Sequence, residues 1–279
     1  MKLSPNCYEC LRRLVFQAAD LATDDQKIRQ RAIAEGCRIL EDNFSYDEVS
    51  IVVATKIHEV IKGITVNDDP YKQMKQREIN IARELCDEIK PRYGNDLKGL
   101  LKLAVQGNNL DFFRPFDVIK EDMRSEVGFA IDDSEKFEGK LSSAGKVLYL
   151  ADNAGEVFFD LPLVKCLRRF AMVTYVVKEF PVQNDVTVKD MQQAGLEFDF
   201  GNVITTGTAT PGIIFSLASD QFKREFELAD LIFAKGMGYY ESLSELPAEG
   251  RVFHCLKAKC QPVADSLGVP INSFVAMLR

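Results

Sequence analysis

Three oxygen-bearing side chains follow two apolar runs: Asp152 and Asn153 come directly after VLYLA, and Asp185 comes shortly after MVTYVVK. Two carboxylates and an amide oxygen are hard donors of the kind that suit Mg²⁺ or Mn²⁺. The stretch TGTATPG (206–212), which includes Thr208, can present hydroxyls and backbone N–H groups to an anion, and Lys235 and Lys257 can add positive charge beside it. Together these residues describe a site for phosphoryl chemistry. Taken singly, each has a plainer explanation. Asp152 or Asp185 could cap a helix, Thr208 and Thr210 could be loop residues, and the lysines could be solvated strand-end charges. Complementary groups at five successive strand ends are harder to assign to capping, and that convergence carries the functional reading.

The elements that must position these groups change character along the chain. Up to about Gly145, apolar residues recur three and four apart in CLRRLVFQAADLA, DQKIRQRAIAEGCRILEDNF, YDEVSIVVATKIHEVIKGI, PYKQMKQREINIARELCDEIK and DLKGLLKLAVQG, which predicts helices. Ser4-Pro5 reads as an N-cap followed by proline at the first helical position. From Lys146, short β-rich runs (KVLYLA, MVTYVVK, NVITT, DLIFAK, RVFHCLK, with INSFVAML as a sixth candidate) alternate with helical stretches. That alternation predicts an α/β fold, a mostly parallel sheet flanked by helices in a Rossmann-like three-layer sandwich. The expected division is a helical domain over 1–140 and an α/β domain over 141–279, with DDSEKFEGKLSSAG as linker or loop. In such a sheet ligands bind beyond the carboxyl ends of the strands, where the marked residues fall. No GxGxxG follows the first strand and no GxxxxGK[ST] occurs, so dinucleotide and P-loop chemistry have no sequence support.

Composition narrows the partners. The chain has 279 residues, 46% of them hydrophobic, enough for one large or two moderate cores. A net charge of -7 without a basic block argues against nucleic acid. No apolar run reaches the ~18 residues that span a bilayer, and MKLSPNCYEC lacks the apolar core of a signal peptide. A soluble, cytoplasmic protein without membrane partners is expected, with a homo-oligomer left open. Seven cysteines, an odd number, fit a reducing compartment.

DNAGE (152–156), NDVT (184–187), KGMGYYESL (235–243) and LKAKCQPVA (256–264) occur in that order, after SPNCYEC (4–10), NDDPYKQMK (67–75) with Asn80, and GNNLD (107–111). In these blocks the chain resembles the metal-dependent damage-control phosphatases, also described as domain of unknown function 89 and as the acidic-residue-methyltransferase-like metal-binding domain. The likeness spans nearly the whole chain and is strongest to the short prokaryotic branch with an N-terminal cysteine pair. The resemblance implies one divalent metal ion (Mn, Ni, Co or Mg) on Asp152, Asn153 and Asp185. It also implies substrate contacts from Glu156, Lys257 and the loop Lys235, Gly236, Met237, Gly238 and Tyr239, with Asn108 and Asp111 brought in from the helical half. Met237 and Tyr239 stand where polar residues are usual, and Ala209 where an acidic one is frequent, which bears on substrate identity. The implied reaction is hydrolysis of a small phosphomonoester, a sugar phosphate or damaged phosphometabolite, with Asp152, Asp185 and Lys257 as catalytic groups.

Two alternatives remain at this stage: an S-adenosylmethionine-dependent carboxyl methyltransferase, and a non-catalytic metal- or metabolite-binding protein. Asp160, one turn beyond Glu156, reads as a supporting or helix-surface group. Cys7 and Cys10, at i and i+3 on a first helical turn, could bind a soft metal with Cys260 as a third ligand. The preferred expectation is that they are reduced thiols packing the two halves together. His58 is expected to be a packed or surface residue of a helix and His254 to lie within a strand.

Overall fold

The computed structural model describes residues 1–110, 116–247 and 249–279. Five helices come first: α1 (Pro5–Ala22), α2 (Gln26–Asn43), α3 (Ser50–Thr65), α4 (Lys72–Ile89) and α5 (Leu97–Gln106). Each lies where the apolar spacing predicts it. Local chemistry sets their starts: the Asp25 carboxylate accepts the Lys27 and Ile28 amides at 2.8 and 3.0 Å, and Asp96 accepts the Gly99 amide. The apolar stripes of α1–α3 close on one another through Leu11, Val15, Leu40, Val53, Ile57 and Ile61. Those of α4 and α5 share the main core of the sheet instead.

The remaining elements are α6 (Phe116–Arg124), β1 (Phe129–Asp132), α7 (Ser134–Leu141), β2 (Lys146–Leu150), α8 (Val157–Leu167), β3 (Met172–Val177) and α9 (Val188–Ala194), followed by β4 (Asn202–Thr205), α10 (Asp220–Leu228), β5 (Leu231–Lys235), α11 (Gly236–Leu243), β6 (Val252–Lys257), α12 (Gln261–Leu267) and β7 (Phe274–Leu278). All six expected strands are present. A seventh, β1, comes from FAID, and the stretch expected as a linker or loop is mostly α7, so residues 129–141 belong to the sheet layer.

The sheet order is β1-β7-β6-β5-β2-β3-β4. Neighbours are parallel except β6 and β7. Successive side chains of a strand alternate between faces. Val147, Tyr149, Tyr175, Phe233 and Phe253 therefore meet α4, α5, α7 and α8, while Leu148, Leu150, Val176 and Ile232 meet α10 and α11. The path runs from β2 through β3 to β4 on one side and returns to β5 on the other side of β2. This reversal opens a crevice beyond the carboxyl ends of β2 and β5. Helix α4 borders it, tied to α9 by buried Lys75, which lies 3.0 Å from both Asp69 and Asp190. No helix among the described residues is long and apolar enough to cross a membrane.

Candidate active site

Backbone hydrogen bonds build the floor of the crevice. The loops after β2 and β3 are zipped together: the Val186 amide donates to Asp152 O and the Ala154 amide to Asn184 O, both at 2.8 Å, and Asn153 and Asp185 form an isolated antiparallel bridge. Three residues spread over two loops thus become neighbours. Asp152, Asn153 and Asp185 line one cavity of about 210 Å³ with Asn108, Met237, Gly238, Lys257 and Lys259. Asp111 lies outside the described residues.

Gly236 starts α11 at φ 73°, and a Cβ there would overlap the Asp152 carboxylate. Glycine is needed both for the left-handed turn and for this approach. Burial, with the negative charges of Glu156 and Asp185 nearby, raises the Asp152 pKa well above the ordinary carboxylate range. Burial also pushes Asp185 up to about 6, against the opposing pull of Lys178. The Asn153 amide nitrogen donates to Asp152 at 3.1 Å and to Glu156 at 2.7 Å, which leaves its carbonyl oxygen as the donor atom for a ligand. Two crowded carboxylates and an oriented amide oxygen fit one hard divalent cation. Among the described residues no three His, Cys, Asp or Glu side chains are grouped to hold one ion, so a cation here would take two carboxylates and the amide.

Several residues expected to touch substrate lie behind the wall instead. Glu156 is fully buried, accepting both from Asn108 Nδ2 at 2.6 Å and from Asn153. Lys235 is equally buried, 2.8 Å from Glu156 and 2.7 Å from Asp160, and donates to Ala104 O. Despite burial, Asp160 and Glu156 hold Lys235 above the ordinary lysine range. Asp160, expected as a supporting or surface group, is wholly internal and also accepts from the Tyr149 and Tyr175 hydroxyls. These residues form a saturated network that fixes Asn153 and Asn108 from beneath. Thr208 spends its hydroxyl on a chain with Thr206 and Thr210, and Pro211 and Gly212 of that loop line the cavity instead. Tyr239 is buried against Lys178.

Lys257 closes the opposite wall. Its ammonium donates to Asn109 at 2.7 Å, its amide donates to Asn108, and Phe274 lies beneath it. Lys257 and Lys259 also line a second cavity, of about 610 Å³, with Asn109, Asp122, Ser125, Asn272 and Phe274. Residues missed in the sequence reading are Glu78 of α4, which takes a 2.9 Å hydrogen bond from Asn184, and Lys259, whose amide donates to Met237 Sδ. The signal for Lys259 was its place two residues after Lys257. None marked Glu78.

The cysteines lie apart from this cavity. Cys7 packs in the α1–α3 core, Cys10 is exposed, and Cys260 precedes α12, which contacts α1. All seven are free thiols, and burial pushes Cys260 up to about 11. His58 and His254 are both buried, and burial lowers each to about 3, so both are neutral.

Comparison with known proteins gives a consistent result. The family model described as the damage-control phosphatase ARMT1-like domain matches residues 3–275. A damage-control phosphatase from Pyrococcus horikoshii is 35% identical over 285 residues, covering 99% of this chain and 98% of that protein. A damage-control phosphatase from Archaeoglobus fulgidus is 36% identical over 287 residues, covering 99% of each. The crystal structure of a DUF89 family protein from Pyrococcus horikoshii matches with a TM-score of 0.90 at 34% identity, covering 100% of this chain and 99% of that one.

Proposed function

From the premise that this chain belongs to the damage-control phosphatase ARMT1-like family, we propose that its crevice hydrolyses small phosphomonoesters, sugar phosphates or damaged phosphometabolites, with a divalent cation on Asp152, Asn153 and Asp185. One observation carries this reading: two carboxylates, an oriented amide and two lysines line a single cavity at the switch point of the sheet. When bound there, a divalent cation supplies positive charge to the phosphoryl oxygens as the ester bond breaks.

The protein's own groups do the rest. Lys257, held in place through Asn109, neutralises a second phosphoryl oxygen, and Lys259 stands on the same wall. Asp152, which lines the cavity, accepts the proton of the attacking water at its carboxylate. The Asn108–Glu156–Lys235 network keeps Asn153 oriented and contributes rigidity. The organic part of the substrate occupies the second cavity, which Lys257 also lines.

The test is release of inorganic phosphate from p-nitrophenyl phosphate and a panel of sugar phosphates, with Mn²⁺, Co²⁺, Ni²⁺ or Mg²⁺ against EDTA. The proposal expects metal-stimulated release from at least one phosphomonoester. No release with any metal across the panel would overturn it.

A further inference from the structure

We propose that Lys178 is the positioning residue of this site: a buried cation that aims the Asp185 carboxylate and pins together the loops around it. The inference rests on the reading of Asp185 as a metal ligand.

Lys178 directly follows β3 and is 1% exposed. Its ammonium lies 3.4 Å from Asp185 Oδ2, donates to the Gly212 carbonyl, and donates to the Tyr239 hydroxyl at 3.1 Å while sitting over that ring. An ammonium has three N–H donors, and here three acceptors, on the loops after β3 and β4 and on α11, face them. No donor remains for a phosphoryl oxygen, which makes Lys178 a group that acts through others. Asp185 and Gly212 both line the cavity, as does Gly238 beside Tyr239. Gly212 and Gly238 touch backbone to backbone, and at Gly212, with φ 57°, a Cβ would overlap the Gly238 carbonyl. Lys178 binds on both sides of that contact, through Gly212 O and Tyr239. Its own backbone joins the same assembly, because its amide donates to Val186 O at 2.9 Å.

Two roles for this lysine differ in the sign of one measurement. As a charge alone, a cation beside a ligating carboxylate repels a divalent ion, so removing it would tighten metal binding. As a pin, its removal frees Asp185 and both loops and weakens binding. The experiment is calorimetric titration of Mn²⁺ alone into the wild-type protein, Lys178→Met and Tyr239→Phe, with folding checked by circular dichroism. The pin predicts Mn²⁺ affinity at least ~10-fold weaker in Lys178→Met and a few-fold weaker in Tyr239→Phe, which keeps the charge but removes one acceptor. Wild-type binding together with equal or tighter Mn²⁺ binding by Lys178→Met overturns the inference alone. If Lys178→Met does not fold, unchanged affinity in Tyr239→Phe overturns it. Absence of saturable Mn²⁺ binding by the wild type overturns the metal reading and this inference with it.

Discussion

Two clusters of buried charge lie a few residues apart, one built around Lys235 and the other around Asp152 and Asp185. The first is closed: Lys235 meets Glu156, Asp160 and a carbonyl, and the carboxylates take two tyrosine hydroxyls and two asparagine amides. The second is open on one side. Asp152 and Asp185 crowd each other, Lys178 lies 3.4 Å from Asp185, and both carboxylates face a cavity. Similar residue types on the same loops therefore do different work. Saturation marks scaffold, and crowded carboxylates open to a cavity mark the place for a ligand.

Breaking the closed cluster should have the largest effect on stability. Lys235→Met strands two buried carboxylates, and a loss of ~3–5 kcal/mol is expected, read as a fall in melting temperature of roughly 10 °C. A melting curve equal to wild type would mean that the network is not scaffold.

The two histidines should destabilise the fold in acid. Each has a folded pKa of about 3 against an ordinary value of 6.5, so the unfolded chain takes up the proton first. Stability is therefore full above pH 6.5 and is lost as pH falls towards 3, at about 1.4 kcal/mol per histidine by pH 5.5. His58→Phe should flatten that part of the urea-melt pH profile. Neither residue lines the cavity, so cation binding at pH 7 should be untouched.

On the open side, Lys257→Ala should lower kcat/KM by an order of magnitude or more, at least ~1.4 kcal/mol. Cation affinity should barely change. Unchanged steady-state kinetics would make Lys257 a structural charge bound to Asn109.

The smallest effect is expected at Cys7 and Cys10. Replacing both by Ser should leave turnover within a few-fold and cost about 1 kcal/mol of stability from the buried thiol. Stoichiometric zinc lost together with activity would contradict this.

The pattern of the sequence made the strands legible because buried parallel strands are continuous apolar runs, as in KVLYLA and DLIFAK. FAID escaped because it is four residues long and alternates in burial at the sheet edge. The loops carrying Asp152, Asn153 and Asp185 were legible from their places after strands. Depth was not. Nothing in KGMGYYES or DNAGE says that Lys235 and Glu156 turn towards each other beneath the floor while Gly238 and Asn153 face the cavity. Glu78 was hidden for another reason: it arrives from a helix distant in sequence, and a glutamate on an amphipathic helix is ordinarily a solvated charge. Lys178 was read as the end of a strand, and only the packing of Gly212 and Tyr239 around it gives it a role.

The most direct test compares metal-stimulated phosphate release by the wild-type protein with release by Asp152→Ala and Asp185→Ala, with melting temperature measured in parallel. The account predicts release falling by ~100-fold or more in each variant, while the fold melts within a few degrees of wild type because a crowded carboxylate has been removed. Wild-type rates and metal content in both variants would contradict it.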